Sequence, residues 1–186
     1  MTVADETSTE KITALADDIP VPLVIQRIAD SEDRRLAWHF FVFFSRMEYA
    51  LKRTRSYLKN SPNAEPNWDK FGSDYDERFR QALSPLTALS VEYFEASPPR
   101  KQTQVEGTMG WSEPRRRGEN DKQLKWLLQA IRTVRNNLFH GGKFPLITMP
   151  DPSRDRDLLM HSLAILNAVL GLDAEVKSNF EHLDDI

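Results

Sequence analysis

Cysteine is missing from the 186 residues of this chain. Its absence excludes a disulfide framework, a cysteine nucleophile and every thiolate zinc or iron–sulfur site. Histidine is scarce, with only His39, His140, His161 and His182. No two of these share a helix-face spacing, so a metal would need carboxylates as ligands, and neither a metal nor a cofactor is expected. No apolar run approaches the ~20 residues needed to cross a bilayer. The opening stretch, MTVADETSTEKITALADDIP, is acidic and lacks the apolar run of a signal peptide. We therefore expect a soluble, cytoplasmic protein that does not meet a membrane.

What remains is enough to build a core. Apolar residues make up 40% of the chain and aromatic residues 10%, which argues against disorder throughout. The length suits one domain. Residues 1–30 read as a polar tail or loosely docked segment, and residues 31–186 as a helical domain.

The net charge of −3 argues against a simple polycationic nucleic-acid binder. The charge is uneven, however. Ten basic side chains stand against four acidic ones from Pro98 to Lys143, a surplus of six, so the rest of the chain carries −9. Such a basic third is either a polyanion site or a solvated loop beside ordinary helix ends.

Helical periodicity runs from about Ser31 to Asn60, where Leu36, Phe40, Phe43, Met47, Ala50 and Leu51 recur at steps of three and four. Asn60-Ser61-Pro62 is the expected stop. The belt from Phe40 to Phe44 is apolar on nearly every side and needs several partners or a second subunit to cover it. A polar loop to about Phe71 and a short helix from Ser73 to Leu83 follow. Ser84-Pro85 starts the next helix, which ends at Ser97-Pro98-Pro99. Residues 98–119 show no period and read as a long basic loop.

Asn120 and Gln123 resemble a capping box for a helix running to His140, where Gly141-Gly142 ends it. Asp151-Pro152 starts the last long helix, which stops or kinks at Gly171. The fold class expected is all-α, a bundle of four main helices with extra short ones.

On the helix ending at His140, the residues Leu124, Leu127, Leu128, Ile131, Val134 and Leu138 form one stripe. Arg135 falls inside it, about 20° from Leu124. A guanidinium there needs a partner or a cavity. It is either one end of an internal bridge to a carboxylate on another helix or an anion-binding arginine at the floor of a cleft. Asn136 and His140 lie on a neighbouring face, with His140 about 140° from Arg135 on an ideal helix.

Arg135-Asn136-Asn137-Leu138-Phe139-His140 resembles the signature of the HEPN superfamily: an arginine, a polar residue, then a histidine a few positions on. Arg34 with His39 and Arg156 with His161 repeat the gap. Only Arg135 combines a following Asn, a core-stripe position and a Gly-Gly immediately after the histidine. The resemblance implies a small helical bundle and a metal-independent endoribonuclease of bacterial defence, toxin–antitoxin or stress systems. It also implies RNA as substrate, a homodimer with a composite active site, and an antitoxin or regulatory protein as a possible partner. Some members carry a tyrosine two residues after the histidine, a target for a partner's modification. Here that position is Gly142.

The implied roles suit the residue types. His140 would move the 2′-hydroxyl or leaving-group proton. Arg135 would hold the phosphate and stabilise its added charge. Asn136 would orient His140 or bind phosphate. Glu48 is the candidate for an acid supplied by an earlier helix, and its alternative is a solvated pair with Lys52. Arg115, Arg116, Arg117, Arg132 and Lys143 would bind RNA. Trp111 is expected to tack the basic loop onto the body, the alternative being a stacked base. The competing class is a catalytically silent module of the same fold that binds nucleotide, RNA or a protein partner.

Overall fold

A computed structural model of the chain describes residues 34–139 and 152–182. Every element belongs to the compact unit Leu36–Ile186, save the first two residues of helix α1. The expected tail over residues 1–30 lies outside the described residues, as do His140, Lys143 and the Gly141-Gly142 stop.

Helix α1 spans Arg34–Arg53 and ends before the stop expected at Asn60-Ser61-Pro62. The chain leaves the helix at Thr54, in extended backbone, with its hydroxyl donating to the Ala50 carbonyl at 3.0 Å. A 3-10 turn over Arg55–Tyr57 follows. Asn67 then caps α2 (Trp68–Asp74) by accepting from the Lys70 N–H. Helix α3 (Asp76–Gln81) follows after a break at Tyr75. The single helix expected over Ser73 to Leu83 is thus two, the first starting inside the expected loop.

Helix α4 (Pro85–Ala96) starts as expected, with the Ser84 hydroxyl accepting from the Thr87 N–H at 3.2 Å. Helix α5 spans Gln123–Phe139, α6 Pro152–Leu170 and α7 Ala174–Glu181. Asp173 caps α7, which the sequence reading did not include. The fold is mostly helical, in line with the all-α expectation.

Two expectations are corrected. Residues 98–119 are not a structureless loop. Strand β1 (Gln102–Val105) pairs antiparallel with β2 (Thr108–Trp111), Gln102 opposite Trp111 and Val105 opposite Thr108. The two turn residues, Glu106 and Gly107, have φ of 50° and 80°. Positive φ at both centres is the type I′ pattern, whose twist matches that of the strands.

The capping box at Asn120 and Gln123 does not form either. Asp121 turns back to accept from the Gly118 N–H, and the N-terminus of α5 is capped from another helix. The Leu124 N–H donates to Asp76 Oδ1 at 2.8 Å.

The core gathers Phe40, Phe44 and Met47 of α1, Phe71 of α2, Phe94 of α4, the Leu124–Val134 stripe of α5, and Ile165, Leu166 and Val169 of α6. Helix α5 packs against α2, α3, α4 and α6. Gly72 permits the α2–α5 approach, since a Cβ there would lie 2.7 Å from the Lys125 Cα. The Phe40–Phe44 belt divides between core and surface. Phe40 and Phe44 are buried, Phe43 packs on Phe180, and Phe41 and Val42 stay exposed beside Trp38, itself 61% exposed. Among the described residues, no single helix is long and apolar enough to cross a membrane.

Candidate active site

Burial of the α5 stripe fixes the orientation of that helix, and Arg135 follows from it. The stripe is buried from Leu124 to Val134, and Leu138 is partly so. Arg135 emerges at its edge rather than at a cleft floor, its side chain 35% exposed. Its Nη2 lies 3.9 Å from Glu48 Oε2, and its Cζ lies 5.6 Å from the centre of the Phe44 ring. Its Nη1 donates to Asn136 Oδ1 at 3.1 Å. Glu48 therefore turns to Arg135, and its other oxygen accepts from the buried Trp68 indole at 3.5 Å. The indole stacks on Phe44 at 5.3 Å.

Arg135, Asn136 and Glu48 thus come together, with an aromatic floor beneath the guanidinium. His140 and Lys143, the other sequence candidates on this stretch, lie outside the described residues. Asn137 has a separate task. It is buried, and its amide donates to the Arg100 carbonyl at 2.7 Å, fastening the arm that carries the hairpin.

The basic residues divide. Arg117 pairs with Glu95 at 2.9 Å. Arg116 is exposed, with no partner among the described residues. Arg115 and Arg132 face a surface cleft of about 400 Å³ between α2, α5 and the arm. Arg115 bonds Gln129 and lies 3.3 Å from Asp121. Arg132 lies 3.7 Å from Asp69, as Lys125 does at 3.5 Å. Asn136 lines the same cleft, so the cleft adjoins the Arg135 group.

Trp111 does not tack the arm down. It stands on β2, 41% exposed. The arm is held by Asn137, by the Trp126 indole donating to the Arg115 carbonyl at 3.1 Å, and by Arg154 donating to the Pro98 carbonyl at 3.0 Å. Of the cleft residues, Lys101 is visible in the sequence only as part of the basic surplus, and Asp69 and Gln129 carry no signal there. Each comes from a different segment, and no local motif joins them.

The second arginine–histidine pair, Arg156 and His161, does not form a site. Arg156 is exposed at the start of α6. His161 Nδ1 lies 3.0 Å from Ser90 Oγ, and its ring stacks on Tyr93 at 4.2 Å. Ser90 already donates to the Leu86 carbonyl, so in this arrangement it accepts from His161. Burial pushes the His161 pKa down, and Asp157 opposes that in part. Among the described residues, no three His, Asp or Glu side chains gather where they could hold a metal.

No protein-family model, curated protein or solved structure matches this chain.

Proposed function

We propose that the chain is a metal-independent endoribonuclease of the HEPN type, with Arg135, Asn136 and His140 at its centre. The observation that carries this reading is the grouping of Arg135, Asn136 and Glu48 at the edge of a cation-lined cleft. In this reading the 2′-oxygen of the RNA attacks the adjacent phosphorus and the 5′-oxygen leaves. One histidine takes the 2′-proton, and another gives a proton to the leaving oxygen. Arg135 holds the phosphate and offsets its growing charge. The products are a 2′,3′-cyclic phosphate and a 5′-hydroxyl.

Arg135 and His140 lie about 140° apart on an ideal helix. The active form is therefore a homodimer, whose two-fold axis joins arginine and histidine from both subunits. The exposed Trp38, Phe41 and Val42 of α1 support such an association, since they form an apolar face. A defence or toxin–antitoxin setting, with an antitoxin or regulatory partner, belongs to the same reading.

Cleavage of a mixed RNA in EDTA by wild type, Arg135→Ala and His140→Ala tests it. Wild type should cut, both variants should not, and circular dichroism should be unchanged. Light scattering should give about twice the 21.5 kDa chain mass. Activity restored only by added metal, or cleavage retained by His140→Ala, overturns the assignment.

A second reading is a catalytically silent module. It is favoured by Glu48 and Phe44, which already engage the Arg135 guanidinium from two sides. RNA binding without cleavage by the wild type would decide for it.

A further inference from the structure

The cleft beside Arg135 gathers three cationic side chains from two segments of the chain. Lys101, Arg115 and Arg132 line it from the arm and from α5, against the two carboxylates Asp69 and Glu113. The Lys101 ammonium has no partner among the described residues. Asn136 spends its oxygen on Arg135, and its amide N–H groups remain unengaged among the described residues.

Asp69 sits among the cations as an anion already in place. Gln129 Nε2 donates to both its oxygens at 3.3 and 3.4 Å, while Lys125 and Arg132 stand off at 3.5 and 3.7 Å. Two cations and an amide around one anion is the arrangement a phosphate recruits. The contacts are long and half-exposed, so they exchange at little cost.

We propose that this cleft binds a phosphodiester of the strand flanking the bond held at Arg135, and that Asp69 sets the strength of that binding by competing for the same cations. The identity of the strand as RNA rests on the ribonuclease reading. Continuity favours a nucleic acid over an acidic peptide, because Asn136 bonds Arg135 on one side and lines the cleft on the other. A nucleic-acid strand carries an anion on every unit whatever its sequence and so meets both places at once, whereas a peptide does so only where its residues are acidic throughout. With three cations against two carboxylates, loss of the Asp69 charge doubles the net positive charge of the lining from one to two.

Fluorescence anisotropy with a labelled, fully 2′-O-methylated single-stranded RNA tests binding apart from cleavage, since that strand has no 2′-hydroxyl to attack with. Lys101→Gln/Arg132→Gln should weaken binding and lower the slope of log affinity against log salt by about 1.4, ~0.7 for each lost contact. Asp69→Asn should tighten binding several-fold. Lys177→Gln on α7, which removes one positive charge away from the cleft as Lys101→Gln alone does within it, should leave binding unchanged.

Binding indifferent to Lys101 and Arg132, or weakened by Asp69→Asn, overturns the proposal. Displacement of the RNA by polyglutamate at equal charge also overturns it, in favour of an acidic protein. Lys101 stands on exposed coil, so Lys101→Gln alone keeps the test if the double variant does not fold. Binding that follows the expected pattern, with unmodified RNA left uncut, keeps the cleft and removes the nuclease reading. Cleavage that persists while binding ignores these substitutions does the reverse.

Discussion

Arg135 faces Glu48 across the gap between α5 and α1, 3.9 Å apart, with the Phe44 ring under the guanidinium and the Trp68 indole on the far oxygen of the carboxylate. Both side chains keep contact with water, at 35% and 28% exposure. A pair so placed contributes about 0–1 kcal/mol to stability. A fully buried pair broken on one side costs about 3–5 kcal/mol.

That contrast gives the first prediction. A double-mutant cycle on Glu48→Gln and Arg135→Gln should show a coupling of ~1 kcal/mol or less in urea unfolding. A coupling of about 3 kcal/mol or more would make the pair a structural bridge and count against a guanidinium poised for phosphate.

Gly72 carries the second prediction. Its absent Cβ would press on backbone atoms of Lys125, which cannot swing aside as a flexible side chain does. Gly72→Ala should force α2 from α5 and cost about 1–3 kcal/mol. A lowered melting temperature checks this, and an unchanged one would mean that the helices separate freely.

Asp76 carries the third. It is buried, caps α5 through Leu124, and lies 3.2 Å from Arg80 Nε. Asp76→Ala should lose about 1–2 kcal/mol, the cost of a missing cap with an orphaned N–H. Asp76→Asn retains an acceptor oxygen and should lose less. Equal losses in urea titrations of the two variants would show that charge, not capping, is what Asp76 supplies.

His161 carries the fourth. Burial depresses its pKa, so the folded state disfavours the charged ring. The unfolded chain therefore binds the proton first. The stability contribution is whole above the ordinary value near ~6.5 and is lost as pH falls through the folded value. Wild type should lose stability over that fall, and His161→Gln should lose less of it. Parallel pH profiles for the two proteins would contradict this.

Much of the helical layout is legible in the sequence because its signals are local. Ser84-Pro85 starts α4, Pro98-Pro99 follows its end, and Gly171 follows the last residue of α6. The hairpin leaves little trace. Its strands carry few apolar residues, and Glu106 stands at positive φ, where Asn or Asp is the usual marker. The cap of α5 is invisible locally because Asp76 lies 48 residues before Leu124.

The site divides the same way. The stripe position of Arg135 follows from periodicity, whereas its contact with Glu48 depends on how two helices meet. The stacked Trp68 and the Asp69 brace are tertiary throughout. Lys52, one helical turn further along α1, does not predict where Glu48 turns.

The arm between α4 and α5 is pinned at both roots, by Asn137 on the Arg100 carbonyl and by Trp126 on the Arg115 carbonyl. Its turn points to solvent: Glu106 and Gly107 are exposed, and among the described residues nothing lies within 4 Å of where a Gly107 side chain would begin. Because lengthening a loop costs only ~0.6 kcal/mol per doubling, the tip is a natural handle. A peptide tag spliced between these two residues would hang outside the body and let the protein be tethered to a surface by an internal point, leaving both chain ends untouched.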